Sequence, residues 1–486
     1  MGERRNINVN WVYAAFRGMY AVIFSLICFK SFTVPITHDE GWTVIKYLDK
    51  STWEIMMYPD NWPNNHILNT LLAKASAGIF GVHDWSVRLP NLLFFWVFAL
   101  GVFRFLKVIF NEKQLWILPA AALFILSPYF LDFFGLCRGY GMASALTMLS
   151  LSYFVRGYKF RIDRFIWWGF FCAILASYAN FTVLIYFAAA SAMTGFYFLL
   201  YRKNWLDFSK KVGGLFLIMV GYAALIYTPI YKMKSTNQFE FWTSKGFYEE
   251  TIASVIHNSL SDSSLFTRHE WFAQLVLFLT LVLWVIALRF VWRKKQLKSA
   301  FQNPLVVVSA ILLLTVLVNL AQTNLLGDPN LNGRTALFLL PLFSALVVIG
   351  LHLVIKQSRI WVSYGITAVI LLVTFQHWTM SYRSDSFKEW RYDKHTLEVI
   401  DVLKKEVPEK TVLRVEWIYQ NSFEFYQKYE MQEGWRLQLG NESMNVNPNA
   451  KVDFYYVQEA SVAALEKTFS VVKRYDEGQV LMRRKQ

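Results

Sequence analysis

Long apolar runs recur along this chain, the first at residues 12–34 and the last at 360–380, and no other feature constrains its fold so strongly. A bilayer core of ~30 Å takes about 20 helical residues to cross, and the chain offers window after window of that length. Open sheet edges and bare loops would leave backbone N–H and C=O groups unpaired in hydrocarbon, so the spans are expected to be helices. Composition agrees: 55% of the 486 residues are hydrophobic and only 17% are charged, more apolar than an ordinary soluble domain. The candidate spans are 12–34, 88–108, 115–131, 139–157, 165–180, 182–201, 212–230, 270–292, 304–322, 335–355 and 360–380. The fold class expected is therefore an all-α polytopic membrane protein of about eleven transmembrane helices.

Two stretches need arbitration. No small-residue cleavage site follows residues 12–34, so they read as a retained span and not as a signal peptide. The stretch HILNTLLAKASAGIFG, His66–Gly81, is only sixteen residues long and carries Lys74 in its middle. That is short for a span and suits an amphipathic helix lying in the interface.

The net charge of +15 would suggest nucleic acid in a soluble protein, but here its placement decides. With His66–Gly81 on the surface, the basic loops fall on one side: Arg4 and Arg5; Arg104, Lys107 and Lys113; Arg156 to Arg164; Arg202 to Lys211; Arg293 to Lys298; Lys356 and Arg359. Short cytoplasmic loops are the ones enriched in Lys and Arg. A multi-pass protein of the inner (cell) membrane with a cytoplasmic N-terminus is expected, with no role in binding nucleic acid. Residues 35–87, 132–138, 231–269 and 323–334, and everything after 381, then face outward.

Near Tyr382 the composition turns polar. HTLEVIDVLKKEV and SVAALEKTF have helical periodicity, while TVLRVEW, VDFYYV and QVLMRR alternate as strands do. Residues 383–486 are expected to form a small α/β domain on the periplasmic side of a membrane domain at 1–382. The three cysteines, Cys28, Cys137 and Cys172, read as small apolar fillers, without disulfide or metal spacing.

The unusual polar residues gather at the outward ends of spans. In PITHDEGWTV, His38, Asp39 and Glu40 follow the first run. Acids in a first helical turn favour the helix dipole, and that alone accounts for them; equally, a carboxylate held at fixed height just outside the bilayer suits a base or cation ligand meeting a lipid-borne substrate. His66 opens the interfacial helix on the same side, so His38, Asp39 and His66 form a candidate mixed site for a divalent cation, with Asp39 and His66 as its core. Asp60, Asn64 and Asn65 lie in YPDNWPNNHILN, where a turn before a helix explains the asparagines, while Asp60 counts with His38, His66 and Asp132 as a candidate lining a substrate cavity.

Arg88, Arg138 and Arg334 stand at outer span ends, where snorkelling to headgroups is the plain reading. The positive-inside bias predicts few such residues there, and a guanidinium fork matches a phosphate bidentately. These three, with Tyr140, are candidates for a donor phosphate. Asp132 could orient an arginine, act as a second acid or sit in a structural ion pair. His257, Arg268 and His269 border the long outer loop and count as cavity candidates. Most tryptophans and tyrosines, Trp62, Trp242 and Trp271 among them, read as interfacial belt residues, a minority touching sugar or lipid. Nucleotide chemistry finds no Walker loop and no dinucleotide fingerprint.

Together HDEGWTVIKYL, NNHILNTLLAKASAGIFG, VRLPNLLFFW and SPYFLDFFGLCRGYGMA resemble the GT-C membrane glycosyltransferases, in the branch of protein O-mannosyltransferases and lipid A aminoarabinose transferases. The resemblance covers residues 12–200, and 200–380 only in topology. It implies a GT-C fold with transfer of a monosaccharide from a polyprenyl-phosphate donor to a protein hydroxyl, lipid A or a surface glycan. It also implies inversion by single displacement, with Asp39 as base or cation ligand, Glu40 its neighbour, and Arg88 and Arg138 at the family's arginine positions. Some relatives carry an acid where this chain has Asn64. A flippase of lipid-linked sugars and a non-catalytic envelope polysaccharide assembly protein are the rival readings.

Overall fold

The computed structural model describes residues 9–110, 114–235, 246–266, 269–294, 296–406, 411–430, 438–439 and 446–485. Arg4, Arg5, Lys113, Trp242, Arg268 and Lys295 lie outside them.

The chain opens with α1 (Val9–Thr33), then the short α2 (His38–Tyr47), α3 (Thr52–Met56) and α4 (Ile67–Phe80) before α5 (Asp84–Ile109). The middle of the bundle follows: α6 (Ile117–Phe124), α7 (Pro128–Asp132), α8 (Gly139–Phe160), α9 (Asp163–Ala179) and α10 (Leu184–Leu200). Next come α11 (Trp205–Ser235), α12 (Ser254–Leu260), α13 (His269–Arg293), α14 (Leu297–Ala300), α15 (Pro304–Leu326), α16 (Leu339–Gln357) and α17 (Ile360–Ser381). The remaining helices are α18 (Thr396–Glu406), α19 (Trp417–Tyr429) and α20 (Glu459–Leu465).

Eight helices among the described residues are long and apolar enough to cross a membrane. They include α1, α5, α11, α13 and α15. Helix α8 is buried almost all round, and its small Ser, Ala and Gly residues let neighbours approach closely. The expected run 115–131 is broken: α6 stops at Phe124, and α7 starts afresh at Pro128 with Ser127 Oγ accepting from the Phe130 N–H at 3.1 Å. Proline has no N–H to donate and disfavours helix in the residue before it, which explains the break. Helix α4 spans fourteen residues, with Ile67, Thr70 and Ala73 buried and Ile79 and Phe80 exposed. One face packs and the other is free, as an interfacial helix requires.

The basic turns gather at one end of the bundle. There Lys159 Nζ donates to the Val108 carbonyl at 2.8 Å and Tyr201 Oη to that of Lys298 at 2.7 Å. The opposite end carries α2, α4, α7, α12 and all that follows α17. That terminal segment holds a five-stranded sheet of order β2-β1-β3-β5-β4, built from β1 (Val412–Val415), β2 (Gln438–Leu439), β3 (Phe454–Gln458), β4 (Phe469–Arg474) and β5 (Gln479–Arg484). β1 runs parallel to β2 and β3, and β5 antiparallel to β3 and β4. The expected strands and the helices at 395–407 and 461–469 are present in outline. Helix α19, unexpected from the sequence, packs on α2. Its Tyr419, Phe423 and Tyr426 share an apolar core with Ile36, Val44 and Val87.

Candidate active site

Just past α1 the chain turns and α2 begins, with Asp39 and Glu40 in its first turn. Neighbours in sequence, the two acids point to different surroundings, because successive helical residues are about 100° apart. Glu40 goes inward. Both its oxygens meet Arg88, at 2.9 Å from Nε and 2.7 Å from Nη2, and both residues are 0% exposed. Arg88 Nη1 donates to the carbonyls of Ser31 and Val34, and Nη2 to that of Pro35. Glu40 also accepts from the Cys137 N–H and from Thr37. The pair thus ties the end of α1, the start of α2, α5 and the turn before α8 into one knot. No N–H of Arg88 is left for a substrate phosphate.

Asp39 faces the other way, toward two guanidinium groups. Arg138 Nη2 is 3.7 Å from Oδ2 and Arg334 Nη1 is 3.0 Å from it. Arg138 is held as the residue before α8: Asn91 Nδ2 reaches its carbonyl at 2.9 Å and that of Leu136 at 2.8 Å. Next to it Gly139 is obligatory, since an added Cβ would stand 2.0 Å from the Ala179 carbonyl oxygen. The Arg-Gly pair is therefore a positioning device, in which the glycine lets α8 close on α9 and the arginine is aimed at Asp39. Asn64 completes the clamp, its Oδ1 accepting from Arg138 Nη1 and its Nδ2 donating to the Asp39 carbonyl at 3.2 Å. The amide accepts on one side and donates on the other, and a carboxylate could not make the second bond.

Arg334 sits in the 3₁₀ turn Gly333–Ala336. Its Nη1 is also 3.1 Å from Glu389 Oε2, and its guanidinium lies 5.1 Å from the centre of the Trp390 ring. Glu389 accepts in turn from Tyr129 Oη at 2.5 Å. These partners come from the segment after α17 and from α7. Glu389, Trp390 and Tyr129 escaped the sequence reading, which searched span ends for charge; the only signal for them was their place in KEW just past the last span and in SPYFLD.

Burial alone would raise the Asp39 pKa, but the charges of Arg334, Arg138 and His38 outweigh it and hold the carboxyl below its ordinary 3.8. Three polar atoms here lack hydrogen-bond partners although buried: Asp39 Oδ2, Arg138 Nε and His66 Nε2. Asp39 Oδ2 is nonetheless ion-paired with both arginines, which leaves Arg138 Nε and His66 Nε2 as the atoms with no polar partner. Leaving such groups unpaired costs free energy, so a further partner at this place would stabilise it.

His66 precedes α4 and packs edge-on against Tyr140, centroids 4.8 Å apart, and Tyr140 also lies under the Arg138 guanidinium. Burial, then Arg138 and Arg334, keep the His66 imidazole well below its ordinary pKa and so neutral. His38 is buried, its ring 2.9 Å from Asn421 Nδ2 and its backbone N–H donating to Asp393 Oδ2 at 2.7 Å. Among the described residues no three His, Cys, Asp or Glu side chains converge on a cation position. Asp39 faces two cations where a divalent ion would need further oxygen donors, so the donor set as it stands does not fit one.

The other candidates lie apart from Asp39. Asp60 accepts from Tyr47 Oη and the Trp62 N–H at the outer rim. Asp132 pairs with Lys30 and accepts from the Lys388 N–H, the structural alternative foreseen for it. His257 and His269 pack edge to face, centroids 5.0 Å apart, near the cluster of Lys388, Arg391 and Asp262.

This arrangement, a helical bundle carrying an acid–arginine site at one end under a small mixed-sheet segment, shares its fold with solved structures of ArnT. ArnT from Cupriavidus metallidurans shares it over 97% of this chain and 98% of its own in the apo state, with a TM-score of 0.50 and 11% identity. The same protein bound to undecaprenyl phosphate aligns over 98% of both chains, with a TM-score of 0.53 and again 11% identity. No protein-family model matches the sequence, and no curated protein matches it.

Proposed function

We propose that this chain is a glycosyltransferase that moves a monosaccharide from a polyprenyl-phosphate donor to an acceptor hydroxyl at the outer face of the membrane. The observation that carries the reading is Asp39 held between Arg138 and Arg334, with orphaned donors and acceptors around it. A carboxylate beside two guanidinium groups has the parts of a displacement reaction whose leaving group is a phosphate. The fold shared with a protein that binds undecaprenyl phosphate supports a lipid-phosphate donor. The basic turns at the far end of the bundle support an outward-facing site.

In the reaction, Asp39 takes the acceptor's hydroxyl proton. The freed oxygen bonds to the anomeric carbon as the bond from that carbon to the phosphate oxygen breaks, so configuration inverts. The phosphate departs with the electron pair, and Arg138 and Arg334 meet the charge that develops on it, where preorganised donors lower a barrier most. Tyr140 and the neutral His66 line the same site. Glu389 and Trp390 hold Arg334 in place, and Glu40 with Arg88 sets the height and direction of α2 without touching substrate. A divalent cation has no part in these steps. The segment from residue 383 onward contributes to the site and is assigned to the outer side with it.

The test is Asp39→Asn in purified protein with a polyprenyl-phosphate sugar. Transfer should fall by about 10²-fold or more, the scale of a lost general base, with donor binding retained. Wild-type turnover by that variant would end the assignment.

A further inference from the structure

A row of aromatic rings leads away from Asp39. Trp62, Trp42, His38 and Trp417 follow one another at centroid separations of 5.7, 6.5 and 5.8 Å. The four come from three places: Trp62 from the loop before α4, His38 and Trp42 from α2, Trp417 from the first position of α19. Trp42 is three residues beyond Asp39 and so on the same face of α2. Neighbouring planes are inclined at 52° to 87°, which keeps the rings from covering one another. Trp62 and Trp417 remain 49% and 47% exposed.

An aromatic belt around the bundle would explain isolated exposed tryptophans, but not a row that joins a loop of the bundle to the terminal segment and passes beside the reactive carboxylate. Its margins are polar. Asp60 accepts from the Trp62 backbone N–H, and Tyr47 Oη donates to Asp60 while accepting from Trp42 Nε1. Gln420 and Asn421, three and four residues after Trp417, share its face of α19. Asn421 holds His38, while Gln420 is 8% exposed with Oε1 lacking any partner. Flat negative ring faces bordered by amides and a carboxylate are complementary to a pyranose, whose C–H face is weakly positive and whose edge carries hydroxyls.

We propose that this row is the acceptor subsite and that the acceptor is a saccharide chain, laid along Trp62, Trp42 and Trp417 with its reactive hydroxyl at Asp39. The proposal rests on the transferase reading given above. It narrows the acceptor to glycans, of a surface polymer or of a glycolipid's sugar portion, over protein serine and threonine.

The experiment uses full-length protein in nanodiscs on an array of hexose, hexosamine and heptose oligosaccharides, beside an array of Ser/Thr peptides. Retention on oligosaccharides is expected, weakened about tenfold or more in the Trp62→Ala, Trp417→Ala double variant and kept in Asp39→Asn. Absence of oligosaccharide retention, retention by peptides alone, or retention indifferent to the double variant overturns the proposal. Thermal stabilisation by undecaprenyl phosphate is measured on the same preparations. If it is present in the wild type and lost in Arg334→Gln while glycans fail to bind, the transferase reading stands and only the saccharide inference falls. If the lipid phosphate does nothing, the reading beneath the inference falls first.

Discussion

At the residue scale, two adjacent acids have opposite fates, and the difference is measurable. Asp39 is held ionised by two arginines, which in the proposed reaction also meet the donor phosphate. In the free enzyme its pKa is depressed, so the acid limb of kcat/KM should lie below pH 3.8. Once a phosphate occupies Arg334 and Arg138, their pull on Asp39 weakens and burial pushes its pKa back up, so the limb of kcat should lie at higher pH. Arg334→Gln removes the larger of the two arginine effects and should raise the limb of kcat/KM as well. A pH profile whose limbs coincide, unmoved by that variant, would contradict the arrangement. Glu40→Gln should act on folding instead. Breaking one side of a fully buried ion pair costs about 3–5 kcal/mol, so the expected result is a lowered unfolding temperature in detergent, and a smaller loss when Arg88→Met is added.

At the element scale, α2 and α19 are the working pair. Their approach depends on Gly41, where a Cβ would stand 2.3 Å from the Asn421 carbonyl oxygen. Gly41→Ala should therefore push α19 off α2, which limited proteolysis of the terminal segment would report as faster cleavage, with acceptor KM raised more than donor KM. The sequence made α2 legible, because an acid pair directly after an apolar run is rare and its position follows from the span. It also showed that Arg138 faces the same end, since the positive-inside bias makes outward arginines conspicuous. Helix α19 stayed hidden in WIYQNSFEFYQKY. Its aromatic residues favour strands by propensity, and only packing on α2 gives their helical spacing a purpose. Arg88 looked like Arg138 on paper, each an arginine at an outer span end. Burial separated them, and burial of one helix end against another is not written in local pattern. Glu389 was illegible for a like reason: an acid in a polar segment has no mark until the fold brings it to Arg334.

At the scale of the whole molecule, the polarity of the bundle is open to direct test. Ala463, in the terminal segment, and Gln296, among the basic turns, are both exposed at opposite ends. With native Cys137 and Cys172 buried and the half-buried Cys28 replaced by serine, a membrane-impermeant maleimide added to intact cells should label Ala463→Cys and leave Gln296→Cys untouched until the membrane is opened. Reversed labelling would turn the site inward and remove the setting of the proposed chemistry.

The contact of Arg334 with Glu389 has a further consequence for how the protein comes into being. The arginine that would face the sugar's leaving group is steadied by a residue that follows the last span in the chain and so is made after it, and the tryptophan at the far end of the aromatic row is made later still. A ribosome-bound chain with all its spans inserted would thus hold a carboxylate and lipid access but an incomplete grip on phosphate. Synthesis itself would then act as a safety catch, keeping half-made copies from spilling activated sugar into water.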